Sequence, residues 1–363
     1  MSNESVSDKQ GIATIVLFLI GTSSMKVMGI EAGKDMWLAI LLAILMALPM
    51  ILIYGELHYM FPGKDLFDIF EICFGKVIGK GIIALYTWYL FQDGAIILRN
   101  VCQFINITTL EATPLIVIET CIGILCMYMV KTGIETIGKS AEFFLPILLI
   151  PMFITIVLLT KYMDINRILP VLYNGIKPII KAAYLEFTFP FGEMIAFAVF
   201  FSHFTDKSSY KVYILGLLIG GSIVFITSLT IGLTLGIGTA KIIYYPAYGA
   251  ISLINIREFL TRLELIGAIV FTIGGIFKVS VHLLVTCKGI AKIFQCMEYK
   301  FVITPISLLM SILSYTVYDS PMEFWEWDAK VWVYYIIPFQ IIFPIITIII
   351  AKINNKSSEI NLK

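Results

Sequence analysis

Apolar stretches long enough to cross a bilayer recur along the whole chain, and they restrict its fold more than any single motif. A helical crossing needs roughly 20 mostly apolar residues. Such runs stand clearly at 36–59, 79–103, 113–131, 140–160, 210–236, 263–287, 301–318 and 331–351, with weaker ones at 11–32 and 176–205. Of 363 residues, 59% are hydrophobic and only 14% charged, and the mean hydropathy is +0.93. A water-soluble core could not hide that much apolar surface, so a soluble enzyme is excluded. The net charge of +1 leaves no electrostatic footprint for nucleic acid. The expectation is an all-α integral membrane protein of about ten transmembrane helices. Residues 11–351 form one transmembrane domain between a cytoplasmic segment at 1–10 and a cytoplasmic tail at 352–363. Met1 to Gln10 is polar and mixed in charge, which does not read as a cleavable signal peptide.

With ten crossings and the N-terminus inside, 14 Lys and Arg residues fall on the inner side and 11 on the outer. The last hairpins add weight, since Lys288, Lys292 and Lys300 lie on one side and Asp319, Glu323, Glu326 and Asp328 on the other. Between the second and third crossings, 61–80 alternates charges with Leu66, Phe67, Ile69, Phe70, Ile72 and Phe74. That spacing predicts an amphipathic helix lying on the inner surface.

The two weak runs are the informative ones. In the first, Ile12 to Ile20 meets Gly21-Thr22-Ser23-Ser24 before Met25, Val27 and Met28 resume it. In the sixth, Ile179 to Phe189 meets Pro190-Phe191-Gly192-Glu193 before Met194 to Phe201. Pro190 lacks an N–H and biases Phe189 away from helical angles. Interrupted helices at matching positions of two five-helix halves point to a transporter-type binding site at mid-membrane. The competing reading makes Gly21 and Gly192 close-packing positions and Pro190 a kink.

Three charges fall near span centres: Asp93, Glu193 and Lys278. Each costs roughly 2.5–3.5 kcal/mol there on insertion scales, so each should face the bundle interior and find a partner. Lys278 is expected to neutralise Glu193 or Asp93, either around a pocket or as a structural ion pair. His282 follows Lys278 by four residues and reads as a packed or interfacial histidine. Tyr86 and Tyr89 share a helix face with Asp93 and could line a pocket. Arg99 reads as a residue that snorkels to the outer edge. Asn106-Ile107-Thr108 matches a glycosylation sequon, and no CxxC pair occurs among the six cysteines. Nucleophile-elbow, Walker, Rossmann and metalloprotease patterns are missing too, so neither catalysis, a metal nor a cofactor is expected.

Several stretches resemble the B subunits of spore germinant receptors, endospore membrane proteins related to amino-acid permeases. They are Lys9-Gln10-Gly11 followed by Gly21-Thr22, FPGKDLFDIFEICFGKVIGK at 61–80, PVLYNGIKPI at 170–179, FPFGE at 189–193 and the long run from Tyr244 to Leu284. In order, they cover nearly the whole chain. Thr261-Arg262-Leu263-Glu264 departs from a common Glu-Arg-x-Glu, and Phe271 stands where many members carry Trp. The resemblance implies a LeuT-like, amino-acid-permease fold: a five-plus-five inverted repeat with helices one and six broken. It also implies a complex with a larger A subunit and a lipoprotein C subunit in the spore inner membrane. There the B subunit senses a small germinant, usually an amino acid, and helps to trigger germination.

In that reading the ligand-binding candidates are Gly21, Thr22, Ser23, Ser24, Tyr86, Tyr89, Phe191, Gly192 and Glu193. Free N–H groups around Thr22 to Ser24 or at Gly192 would take a carboxylate. Carbonyls beside a break, with Glu193, would take an ammonium, and Tyr86 or Tyr89 would close over the side chain. The rival readings are a proton- or cation-coupled amino-acid permease, which would use the same fold and pocket, and a membrane scaffold with no ligand.

Overall fold

The computed structural model describes residues 6–201, 209–254, 263–296 and 298–360. Their regular structure is helical, and it resolves into ten spans. Span one is Asp8–Ser23 and span two Met36–Met60. Span three is the long helix Leu66–Thr108, four is Leu115–Lys131 and five is Ile134–Leu159. Span six is split into Ile176–Glu186 and Ile195–Phe200. Seven is Ser209–Leu235, eight is Glu264–Phe294, nine is Tyr299–Thr316, and ten begins at Val333, after Trp332, within the longer helical stretch Met322–Asn354. Seven of these stretches are long and apolar enough to cross a membrane unaided. Spans one and four, of 16 and 17 residues, fall below that length, and span three carries charged residues at its centre and ends.

Local sequence fixes several ends. Ser7 caps span one in a capping box with Gln10, each side chain accepting from the other's backbone N–H. Asp65 caps the helix that follows it by accepting from the Asp68 N–H at 3.0 Å. Gly75, at φ 79°, ψ 168°, breaks that helix after residue 74. The inner-surface helix expected over 61–80 is therefore confined to 66–74, and Lys76 to Lys80 already belong to the crossing. Its apolar residues also meet protein instead of lipid. Leu66, Phe67, Ile69 and Phe70 are buried, and the Phe70 ring packs 5.0 Å from that of Tyr86. Lys292, at the end of span eight, holds this cap through Asp68 and through Glu71 at 3.2 Å.

Packing follows a five-span offset. Spans one and seven pack together, and so do their counterparts six and two. Spans one and eight meet, as do six and three, while the pairs three–eight, four–nine and two–seven map onto themselves. Such a pairing pattern is what two structurally equivalent halves produce. Large apolar side chains such as Leu45, Trp88, Phe153 and Ile312 are exposed, whereas Asp93, Glu193, Lys278 and His282 are buried. An apolar exterior around a charged interior belongs in a bilayer.

Candidate functional site

Span one runs as a regular helix through Gly21, Thr22 and Ser23 and stops there, so the interruption begins later than the glycine suggests. Gly21 serves close packing: a Cβ on it would stand 2.5 Å from the backbone of Gly274 in span eight. Beyond Ser23 the chain leaves helical form, with Met25, Val27 and Met28 buried in an irregular stretch. Neighbouring spans satisfy that backbone. Met28 N donates to Ser228 Oγ at 3.1 Å, and Gly29 N to Glu186 Oε1 at 2.6 Å. The end presented at Thr22 to Ser24 is thus a helix C-terminus, whose carbonyls favour a cation. The carboxylate expected there has the wrong sign for it.

Span six breaks at Phe189, whose angles (φ −142°, ψ 122°) are extended, immediately before Pro190. The freed carbonyl of Thr188 accepts from Gln340 Nε2 at 3.0 Å. The same Nε2 donates to Tyr89 Oη, also at 3.0 Å. Gly192 lies under this amide, since a Cβ there would stand 2.1 Å from Gln340 Oε1, and its own N–H donates to the Phe187 carbonyl. The Gly192 backbone is therefore covered.

The buried charges are paired. Lys278 forms an ion pair with Glu193 and donates to Thr22 Oγ1 at 2.9 Å, with side-chain exposures of 0% and 2% for Lys278 and Glu193. Its ammonium also faces the rings of Phe189 at 4.4 Å and Phe18 at 4.8 Å. Asp93 pairs instead with His282, Oδ2 to Nε2 at 2.9 Å. His282 Nδ1 lies 2.9 Å from the Lys278 carbonyl, which can only accept, so Nδ1 carries a hydrogen. The close Nε2···Oδ2 contact then holds one proton, on the imidazole or on the carboxyl. Thr22, Lys278, Glu193, His282 and Asp93 thus form one connected polar group joining spans one, three, six and eight.

A cavity opens on one side of this group. Thr22, Asp93 and Glu193 border it, together with Phe189 at the break. Its other boundary is aromatic: Phe324, Trp327 and Trp332 from the stretch before span ten, and Tyr245 after span seven. Lys26 and Asp328 complete the charged lining.

Of the residues proposed from sequence, Thr22, Glu193 and Asp93 reach this cavity, and Lys278 braces it from behind. Tyr86 and Tyr89 are fully buried away from the lining. Tyr86 Oη donates to the Phe339 carbonyl, and the Tyr89 ring stacks on Phe339 with centroids 4.7 Å apart. Phe191 is buried beside the break. The Ser23 hydroxyl bonds back to Leu19, and Ser24 faces a separate, mostly apolar cavity with Met152 and Thr155. Arg99 does not snorkel: it is buried against Glu119 in span four at 3.3 Å and donates to the Tyr315 and Tyr318 carbonyls. Asn106 caps its own helix end by donating to the Leu110 and Thr113 carbonyls. The cluster at Thr261 and Arg262 lies outside the described residues.

Sequence reading missed Gln340, Glu119 and Lys26, the pairing of Asp93 with His282, and the place of Asp328 at the cavity. Gln340 and Glu119 carried a signal, each being a lone polar residue inside an apolar run.

A family model described as "Spore germination protein" matches residues 5–320. Spore germination protein KB of Bacillus subtilis (strain 168) is 27% identical over 99% of this chain and 98% of its own length. Among solved structures, Mhp1, a nucleobase-cation-symport-1 family transporter in a closed conformation with bromovinylhydantoin bound, superposes with a TM-score of 0.66 at 11% identity, covering 92% of this chain and 76% of that one. MhsT in complex with L-phenylalanine superposes with a TM-score of 0.62 at 12% identity, covering 94% and 97%. At such identities the likeness is one of fold: the broken-helix architecture of LeuT-type transporters.

Proposed function

The chain belongs to the spore germination protein family, and from that membership we propose that it is the germinant-sensing membrane subunit of a spore germination receptor. The observation that carries the reading is the cavity between the two interrupted spans, bordered by Thr22 and Glu193 and backed by the buried Lys278 pair. An amino acid binds there, at mid-membrane, where irregular backbone and charge are sheltered by protein. The protein is a multi-pass membrane protein. Its place is the spore inner membrane, with both termini in the cytoplasm, in a complex with a larger A subunit and a lipoprotein C subunit. Family membership is what supports those partners and that membrane.

Sensing requires that ligand favour one arrangement of the bundle over another. The cavity supplies such a lever, because it is bounded by segments from both halves of the repeat. Thr22 belongs to span one, Glu193 to span six, and the aromatic boundary to the stretch before span ten. A ligand touching all three changes their relative free energy.

The test is the germination of spores lacking this gene, measured beside amino-acid uptake by growing cells of the same strain. Loss of response to one amino acid, with uptake unchanged, is the expected outcome. Normal germination with impaired uptake would instead identify an ordinary permease.

A further inference from the structure

Two charged side chains at the cavity stand apart from the paired network. Lys26 is the third residue past the helical end of span one, in the irregular stretch that leaves the break. Its ammonium lies 4.9 Å from the Phe189 ring centroid and 5.8 Å from that of Phe324. Asp328 borders the same cavity from the stretch before span ten, beside Trp327 and Trp332. Both are partly exposed, and neither takes part in an ion pair among the described residues. The other charges there are committed: Glu193 to Lys278, and Asp93 to His282.

A partly desolvated ammonium gains about 0.5–2 kcal/mol from the aromatic faces; Asp328, Glu186 and Glu193 act on it through space, but no ion pair among the described residues offsets its lost hydration. The carboxylate expected to bind at a backbone break has no place there, because Thr22 to Ser24 present carbonyls and Gly192 is covered by Gln340. The geometry points to Lys26 as the anchor for the ligand's carboxylate and to Asp328, with its tryptophan neighbours, as the anchor for the ligand's ammonium. This rests on the germinant-binding reading and narrows it to free zwitterionic amino acids, excluding their amides and N-acyl derivatives. A zwitterion bridging the two ties the exit of span one to the entry of span ten, and so favours a closed arrangement of the cavity.

The full-length protein in lipid nanodiscs is titrated calorimetrically with each of the twenty amino acids. The tightest binder is then compared with its C-terminal amide and its N-acetyl derivative. Wild type prefers the free amino acid to either derivative by about ten-fold or more, the worth of one charge-assisted contact. Lys26→Met binds acid and amide about equally and keeps the preference over the N-acetyl form, whereas Asp328→Asn does the reverse. Lys26→Arg keeps both preferences, and Lys26→Gln replaces the Met variant if that one does not reach the membrane. A merely structural role would weaken all three ligands alike. An acid-over-amide preference that survives in Lys26→Met, in a wild type that binds amino acids, overturns the assignment alone. A wild type that binds none of the twenty overturns the amino-acid reading, and this assignment with it.

Discussion

Lys278 and Glu193 show what a buried charge costs and how it is kept. Each is isolated in an apolar run, which made both legible in the sequence, and the low dielectric around them makes an unpaired survivor expensive. Lys278→Met leaves Glu193 buried without its counter-ion, and Glu193→Gln does the same to Lys278. Either single substitution should remove about 3–5 kcal/mol of stability. The double substitution should recover most of it, since no orphan charge remains. Thermal denaturation of the detergent-solubilised protein reads this directly: singles well below wild type, with the double closer to it. Equal stability of all four would mean that the pair is not buried as described. Lys26 and Asp328 were illegible for the opposite reason, because a charge beside a span end looks the same whether it faces solvent or a cavity. For Gly21 two readings stood, break or close packing, because sequence alone does not distinguish a glycine that frees the backbone from one that lets two helices touch.

At the scale of elements, the break in span six is held open by span ten. Gln340 replaces the hydrogen bond that the Thr188 carbonyl loses to the break, and it ties that carbonyl to Tyr89 in span three. Its own Oε1 finds no partner among the described residues, so the amide is committed through its nitrogen. Gln340→Leu should therefore cost about 1–3 kcal/mol by leaving a buried carbonyl and hydroxyl unsatisfied. Combining it with Tyr89→Phe should cost less than the sum of the two, because both remove one shared bond. Strict additivity in chemical denaturation would separate the two residues. The interruptions themselves were legible, from Pro190 and from the weak hydropathy of the first run. What closes over them was not, since Gln340 is distant in sequence and its role depends on packing.

For the whole molecule, ten crossings and two matching interruptions were readable from period, length and breaker residues. That is because a bilayer allows few solutions for backbone hydrogen bonds. The cap at 66–74 was half legible: its helical spacing was clear, but alternating charge does not reveal whether lipid or protein receives the apolar face. The central claim is that a germinant occupies the cavity between the two breaks. Asn100 borders that cavity, and the exposed cysteines Cys121 and Cys296 can be replaced by Ser to remove background. In the resulting Asn100→Cys protein, labelling by a small water-soluble thiol reagent should slow on adding an amino acid to which the spores respond. At ten times its dissociation constant the slowing should be about ten-fold, by mass action. Labelling that proceeds at an unchanged rate with the same amino acid shown to be bound would place the germinant elsewhere and contradict the account.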